Sequence, residues 1–135
     1  MLRKDYLVKR IEEFGKALAL LMSKKQEKDY EAYERGMTEA AKQFTGLDLV
    51  ATSRLSNEEF NTQIVYSDRL EFEQKKILGR LLVERMQFCA EMKEVEQFAE
   101  LKEKNLMLYA YLLENLDSSN YDLEVHYKLQ CLKEL

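Results

Sequence analysis

The stretch from Phe14 to Gly46 reads FGKALALLMSKKQEKDYEAYERGMTEAAKQFTG, and it decides the fold class because it holds two amphipathic helical patterns around a short charged turn. Apolar residues before the turn recur at three- and four-residue intervals, which is the spacing of one helix face. Asp29 follows the turn and can accept the free amide hydrogens of a second helix. Gly46 ends the pattern, as a left-handed helix C-cap does. The stretch therefore predicts a helical hairpin at residues 5–46.

The composition favours helix along the whole chain. The 135 residues are 46% apolar and 34% charged and include no proline, and the abundant Ala, Leu, Glu, Lys and Met are good helix formers. Val, Ile and Thr never gather into an alternating run that would start a sheet. The length is that of one domain. We therefore predict one all-α domain over residues 1–135, built from stacked antiparallel helical hairpins with five to six helices.

Capping signals locate the elements outside the first hairpin. Ser56 and Glu59 have the spacing of a capping box, so a helix is expected to begin at Asn57. Residues 117–120 have the composition of a loop, and Ser119 can cap a last helix. The predicted segments are a connector at 47–55, a short helix at 57–66 and a C-terminal helix at 120–134.

A second hairpin is predicted at residues 68–116. Asp68 and Glu71 repeat the capping-box spacing at its start. A turn is expected around Glu91–Glu94, because an unbroken helix over this range would be about 70 Å long at ~1.5 Å per residue. The apolar stripe predicted after the turn is Val95, Phe98, Ala99, Leu106, Tyr109, Leu113 and Leu116. The C-terminal helix is predicted to contain Leu123, Tyr127, Leu129 and Leu132.

Charge and cysteine content restrict the setting of the protein. The net charge of −4 argues against nucleic-acid binding, which needs clustered cations. The N-terminal sequence lacks the uninterrupted apolar stretch of a secretory or membrane-spanning segment. Cys89 and Cys131 lie in apolar helical patterns and are expected to be buried free thiols. We therefore expect a cytoplasmic protein without membrane or nucleic-acid partners.

No pattern for catalysis, cofactor binding or metal binding is present in the sequence. His126 is the only histidine, and a satisfied or surface role is expected for it because no partner for catalysis is placed beside it. Glu-x-x-His pairs, typical of helical di-metal sites, are missing. The glycines are isolated and form no phosphate-binding loop. We therefore predict no catalytic, cofactor or metal residues, no cofactor and no enzymatic activity.

The segment around residues 106–113 is apolar on nearly all its helical faces. A helix of this kind is either central to the fold or part of an intermolecular interface. Tyr109 and Tyr111 lie on different faces, so both cannot be buried, and tyrosine suits contact surfaces that stay partly hydrated. The predicted partner-binding residues are Leu108, Tyr109, Tyr111 and Leu112.

The segment KDYEAYERGMTEAAKQFTG resembles the second helix of a tetratricopeptide repeat. Lys28-Asp29-Tyr30 matches its opening and Ala40 its later alanine, while the closing proline is absent. The opening Arg3-Lys4-Asp5-Tyr6, the stretch RIEEFGKAL at 10–18 and the turn TGLDL at 45–49 resemble an uncharacterised bacterial family of small tetratricopeptide-like helical proteins. The resemblance implies stacked hairpins and a bacterial cytoplasmic setting, and it assigns no functional residue.

These features favour a binding function. Stacked helix pairs present concave surfaces without needing chemistry, so we expect a non-catalytic module or scaffold that binds a protein or peptide. One alternative is a homo-oligomeric structural protein, such as a homodimer, in which the helix at 101–116 pairs with its symmetry mate. Another is a small enzyme or ligand-binding domain whose site is assembled from scattered residues.

Overall fold

The computed structural model describes residues 2–116 and 123–135, and it confirms the all-α prediction for these ranges. The helices are α1 (Leu2–Gln26), α2 (Tyr30–Thr45), α3 (Leu49–Ser53), α4 (Asn57–Phe60), α5 (Phe72–Glu91), α6 (Val95–Glu114) and α7 (Leu123–Lys133), and α4 continues into a π-helical turn at Asn61–Val65. These seven α-helices exceed the five to six expected. The additional one is α3, which forms in the predicted connector because Asp48 Oδ1 accepts a hydrogen bond from Ala51 N at 2.9 Å.

The chain divides into two compact units, Met1–Thr52 and Ser53–Leu135. These are the N-terminal unit and the C-terminal unit. One domain over residues 1–135 therefore stays a prediction.

The N-terminal unit contains the hairpin of α1 and α2. The Phe14 and Phe44 rings pack edge to face with centroids 5.5 Å apart, a favourable aromatic geometry. A Cβ on Gly36 would collide with the Leu21 side chain, so the missing side chain allows the two helices to approach closely. Gly46 has a φ of 76° at the end of α2, which confirms the predicted left-handed cap.

The C-terminal unit begins with the predicted capping box at Ser56. Glu59 N donates to Ser56 Oγ at 3.1 Å, and Ser56 N donates to Glu59 Oε1 at 3.0 Å. The bond from the Ser56 amide stabilises the ionised carboxylate of Glu59 and lowers its pKa, and a hydrogen bond from the Ser56 side chain adds to this effect. This box is confirmed, and α4 begins at Asn57 as predicted.

The second predicted capping box, Asp68 with Glu71, is wrong. The helix begins three residues later, with Glu71 as the N-cap in extended conformation, and Glu71 N donates to Gln74 Oε1 at 2.9 Å. Asp68 lies outside the helix, in a turn where Arg69 N donates to Ser67 Oγ at 3.0 Å. The serine side chain stabilises this turn and thereby moves the start of α5 to Phe72.

Helices α5 and α6 form the predicted second hairpin, with the turn between Glu91 and Val95. The apolar stripe predicted for α6 is largely wrong. Val95 is 74% exposed and Ala99 is also exposed, whereas Tyr109 is the one stripe member that is fully buried. The face that α6 buries consists of Leu101, Lys104, Asn105, Leu108, Tyr109 and Leu112. Lys104 and Asn105 on this face are polar, so the spacing of apolar residues does not predict it.

Helix α7 packs in the same unit, and an ion pair links it to α5, with Arg80 Nε 3.5 Å from Glu124 Oε1. Its buried residues are Val125, Leu129 and Leu132. Tyr127 lies in this helix, as predicted, and its side chain is exposed. The loop predicted at 117–120, the Ser119 cap and the predicted start of the helix at residue 120 lie outside the described residues, as does the Leu123 side chain.

In the ranges that the structure describes, no helix is both long enough and apolar enough to cross a membrane.

Candidate functional site

An apolar pocket of about 490 Å³ lies among α5, α6 and α7 of the C-terminal unit. Its volume is in the range of ordinary ligand pockets, roughly 300–1,000 Å³. Helix α5 contributes one wall, Phe98 of α6 lies at a second, and the last turns of α7 form the third. The lining residues are Val83, Met86, Gln87, Ala90, Phe98, Tyr127, Lys128, Cys131, Leu132 and Leu135.

Helical spacing explains how α7 reaches this pocket. Tyr127 and Cys131 are four residues apart in α7 and therefore lie on one side of the helix, and Leu135 follows two residues after the end of α7. Leu132 is buried beside them, whereas Tyr127 is 68% and Leu135 is 58% exposed. The pocket thus has a buried floor and an apolar rim that remains in contact with solvent.

The pocket continues into a shallower depression of about 220 Å³ beside the α5–α6 turn. Ala90 and Phe98 line both cavities. The other residues of the depression are Lys93, Glu94 and Val95. The pocket and the depression together, here termed the apolar groove, run from the end of α7 to the turn between α5 and α6.

Three side chains of the pocket lining can ionise, namely Tyr127, Lys128 and Cys131, and none of them is a carboxylate. The side-chain hydrogen bond between Tyr127 and Cys131 raises the pKa of Tyr127, and the charge of the Cys131 sulfur adds to this effect. Lys128 makes no ion pair with any residue that the structure describes. Among the side chains that line the pocket, Lys128 is the only Lys, Arg, Asp or Glu, so the lining is apolar with a single basic side chain.

The two cysteines are free thiols in the structure. Cys89 is buried, as predicted, whereas Cys131 is half-buried because it lines the pocket. His126 is exposed on α7. Among the described residues, no three His, Cys, Asp or Glu side chains are grouped closely enough to hold a metal ion.

The structure places most of the predicted partner-binding residues in the interior. Leu108, Tyr109 and Leu112 are buried in the C-terminal unit, where they contribute to its core. Tyr111 is half-buried and is the member of this set that a partner can reach. Binding of a partner by these four residues stays a prediction.

Tyr111 belongs to a small cluster around the buried ammonium of Lys75. Lys75 Nζ donates to Val65 O at 2.9 Å and to Tyr111 Oη at 3.2 Å, and it lies 4.3 Å from the centroid of the Tyr111 ring. The Tyr66 ring packs edge to face against Tyr111 with centroids 5.2 Å apart. A backbone carbonyl, a hydroxyl and a ring face thus stabilise the charge of Lys75, and this cluster holds the end of the π-helical turn.

Local sequence patterns do not identify the residues of the apolar groove. Tyr127, Cys131 and Leu135 have a four-residue spacing that can be read directly from the sequence, but this spacing does not show what faces them. Phe98 belongs to the predicted apolar stripe of α6, and the structure places it at the groove instead. The packing of α5, α6 and α7 determines which of their exposed faces lie next to each other. Local sequence patterns do not contain this information.

Comparison with known proteins gives no match for this chain among protein-family models, curated proteins or solved structures.

Proposed function

We propose that this protein is a non-catalytic binding module that holds an apolar segment of a partner protein or peptide in the apolar groove. The observation that carries the proposal is the pocket of about 490 Å³ with an exposed apolar rim. Exposed apolar residues that adjoin one another typically mark an interaction surface. The tetratricopeptide-like arrangement and the bacterial cytoplasmic setting belong to the same proposal, and they rest on the resemblance alone.

The exposure of the rim supports association through apolar burial. Val95, Tyr127 and Leu135 are each more than half exposed. A partner that covers them removes their apolar surface from water and inserts a side chain of its own into the pocket. One fully buried aliphatic or aromatic anchor contributes about 1.5–3 kcal/mol, so a few such contacts would give measurable affinity after the cost of ordering the segment.

The shape of the groove favours a chain segment over a compact small molecule. The pocket accepts one or two anchor side chains, and the depression at Ala90 and Phe98 continues the contact surface toward the α5–α6 turn. A helical or extended peptide presents anchors in a row and can occupy both cavities at once. A compact ligand would fill the pocket and leave the depression exposed.

The positive charge of Lys128 at the pocket restricts the chemistry of the partner further. Lys128 lies at the pocket with no ion pair among the described residues. A carboxylate next to an apolar anchor would therefore gain a charge partner on binding. We infer that the segment carries an Asp or Glu close to its apolar anchors.

Selection of peptides from a displayed random library tests this function with the full-length protein. The selected peptides should contain apolar anchors with a neighbouring acidic residue. Their affinity, measured by fluorescence anisotropy, should fall at least about tenfold in Lys128→Glu, because two negative charges then face each other. Lys133→Glu is the matched control, since Lys133 is exposed on the same helix and does not line the pocket.

Two results would contradict the proposal: equal weakening by Lys128→Glu and Lys133→Glu, or unchanged affinity in Val95→Glu, which places a charge on the exposed part of the groove. The homodimer is the alternative occupant of this surface. Sedimentation that shows a concentration-dependent dimer, lost in Val95→Glu, would support that alternative instead.

A further inference from the structure

A second cleft, of about 180 Å³, lies in the C-terminal unit. Its lining is polar, whereas that of the first pocket is apolar. It shares no residue with the apolar groove. Its lining consists of Ser53, Arg54, Arg85, Gln97, Glu100 and Leu101. The cleft has room for roughly six waters at about 30 Å³ each, which is enough for a small polyatomic ion and part of a substituent.

The two arginines indicate that the cleft binds an anion. Neither Arg54 nor Arg85 forms an ion pair or a side-chain hydrogen bond with the part of the chain that the structure describes. Each guanidinium has five N–H donors in a planar fork that matches the oxygens of phosphate or carboxylate. Two positive groups at one cleft also repel each other, and a bound anion removes this repulsion.

Gln97 adds a neutral donor to the cleft. The Cys89 thiol donates to Gln97 Oε1, with the sulfur and the oxygen 3.6 Å apart. Because this contact occupies the oxygen of the amide, the NH₂ group is the part of Gln97 that remains to donate. The donors of the cleft therefore come from two charged groups and one neutral group, which lie on different elements of the fold.

Glu100 distinguishes among anions. Its carboxylate lies in the same lining and repels any oxyanion that carries no proton. A phosphate monoester has a second pKa of about 6, so near that pH much of it retains a P–OH group. This hydroxyl can donate to Glu100 while the other phosphate oxygens accept from the arginines. Sulfate and ionised carboxylates have no proton to donate.

We propose that this cleft binds a phosphate group, either as inorganic phosphate or as the head of a small phosphate monoester. Leu101 is buried and contributes the one apolar side chain of the lining, and the other lining residues are polar or charged. The site is independent of the proposed peptide binding, because the residues that form the two sites are different.

Isothermal titration calorimetry of the full-length protein near pH ~6 tests the proposal with inorganic phosphate, glycerol phosphate and sulfate. Phosphate should bind at least about tenfold more tightly than sulfate, and Glu100→Gln should reduce that ratio. Tighter binding of glycerol phosphate than of inorganic phosphate would identify a monoester ligand. Weaker binding of glycerol phosphate would identify the free ion.

Substitutions of the arginines test the site itself. Arg54→Gln and Arg85→Gln should each weaken phosphate binding by about tenfold or more, because each removes charge-assisted hydrogen bonds. Arg69→Gln is the matched control, since Arg69 is exposed in the same unit outside the cleft. If circular dichroism shows that Arg85→Gln is unfolded, Arg85→Lys replaces it and should also weaken binding, because lysine cannot form the bidentate contact.

Three results would overturn the proposal. The first is the absence of phosphate binding by the unmodified protein, and the second is an equal loss of affinity in Arg69→Gln. The third is sulfate binding as tight as phosphate binding in the unmodified protein.

Discussion

Gly79 determines how closely α5 and α6 approach each other. A Cβ at this position would lie 2.9 Å from Tyr109 Oη and 3.0 Å from Tyr109 Cε2. Tyr109 is buried, so its ring can move away from an added Cβ only by displacing its neighbours in the core. The close contact between the two helices therefore depends on the absence of a single side chain.

The substitution Gly79→Ala tests this contact. Alanine gains about 1 kcal/mol of helix propensity over glycine, but overpacking against a buried ring typically costs about 1–3 kcal/mol. We expect the clash to dominate, so that Gly79→Ala lowers the free energy of unfolding measured by urea denaturation with circular dichroism.

Gly15→Ala is the control for that measurement. Alanine gains the same helix propensity at this position of α1, and among the described residues no atom beyond the local helix backbone lies within 4 Å of the added Cβ. This variant should be as stable as the unmodified protein or more stable by up to about 1 kcal/mol. A Gly79→Ala variant that is stabilised as much as Gly15→Ala would show that Tyr109 moves aside without cost.

The two helical hairpins, α1–α2 and α5–α6, contain the same type of turn. Lys28 N donates to Lys25 O and Asp29 N donates to Lys24 O, and the corresponding bonds run from Lys93 N to Ala90 O and from Glu94 N to Cys89 O. This is the Schellman pattern of a helix C-terminus. The left-handed position of each turn is a lysine, with φ of 62° at residue 28 and 60° at residue 93.

Glycine at that position should stabilise the second hairpin. A side chain in the left-handed region costs about 1–2 kcal/mol through contact of its Cβ with the backbone, and glycine avoids this contact. We expect Lys93→Gly to raise the free energy of unfolding in urea by about 1 kcal/mol. Lys93→Ala retains the Cβ and should change it by only a few tenths. If Lys93→Gly and Lys93→Ala change the free energy of unfolding equally, the change comes from the loss of the lysine charge and not from the removal of the Cβ.

The elements differ in how well the sequence predicts them. Hairpins, the Ser56 capping box and the Gly46 cap are local, because the residues that specify them lie within a few positions of each other. The buried face of α6 is not local. Its apolar residues surround the helix, and the structure buries Lys104 and Asn105 while it leaves Val95 exposed. Tertiary packing overrides the apolar spacing there.

The same distinction applies to the two sites. The four-residue spacing of Tyr127, Cys131 and Leu135 is visible in the sequence, but the wall that faces them comes from α5 and α6. Arg54 and Arg85 are far apart in the sequence and lie in no common pattern. Only the packing of the C-terminal unit brings them to one cleft.

At the scale of the whole molecule, both sites belong to one unit. The apolar groove and the polar cleft are lined only by residues between Ser53 and Leu135. The N-terminal unit, Met1–Thr52, has the hairpin of α1 and α2 as its main element. A piece of that size buries only about 60% of the surface that its unfolded chain exposes, which makes its stability marginal.

The two units should therefore behave differently when they are produced separately. We expect the fragment 53–135 to fold cooperatively, because its helices pack into a compact unit of their own, and to bind the selected peptides with an affinity within about twofold of that of the full chain. The fragment 1–52 should lose its helical signal over a broad range of temperature, because its core is small. Thermal denaturation by circular dichroism and fluorescence anisotropy with the same peptide measure both properties. A non-cooperative transition in the fragment 53–135 would contradict the prediction and show that this unit requires the first 52 residues to fold.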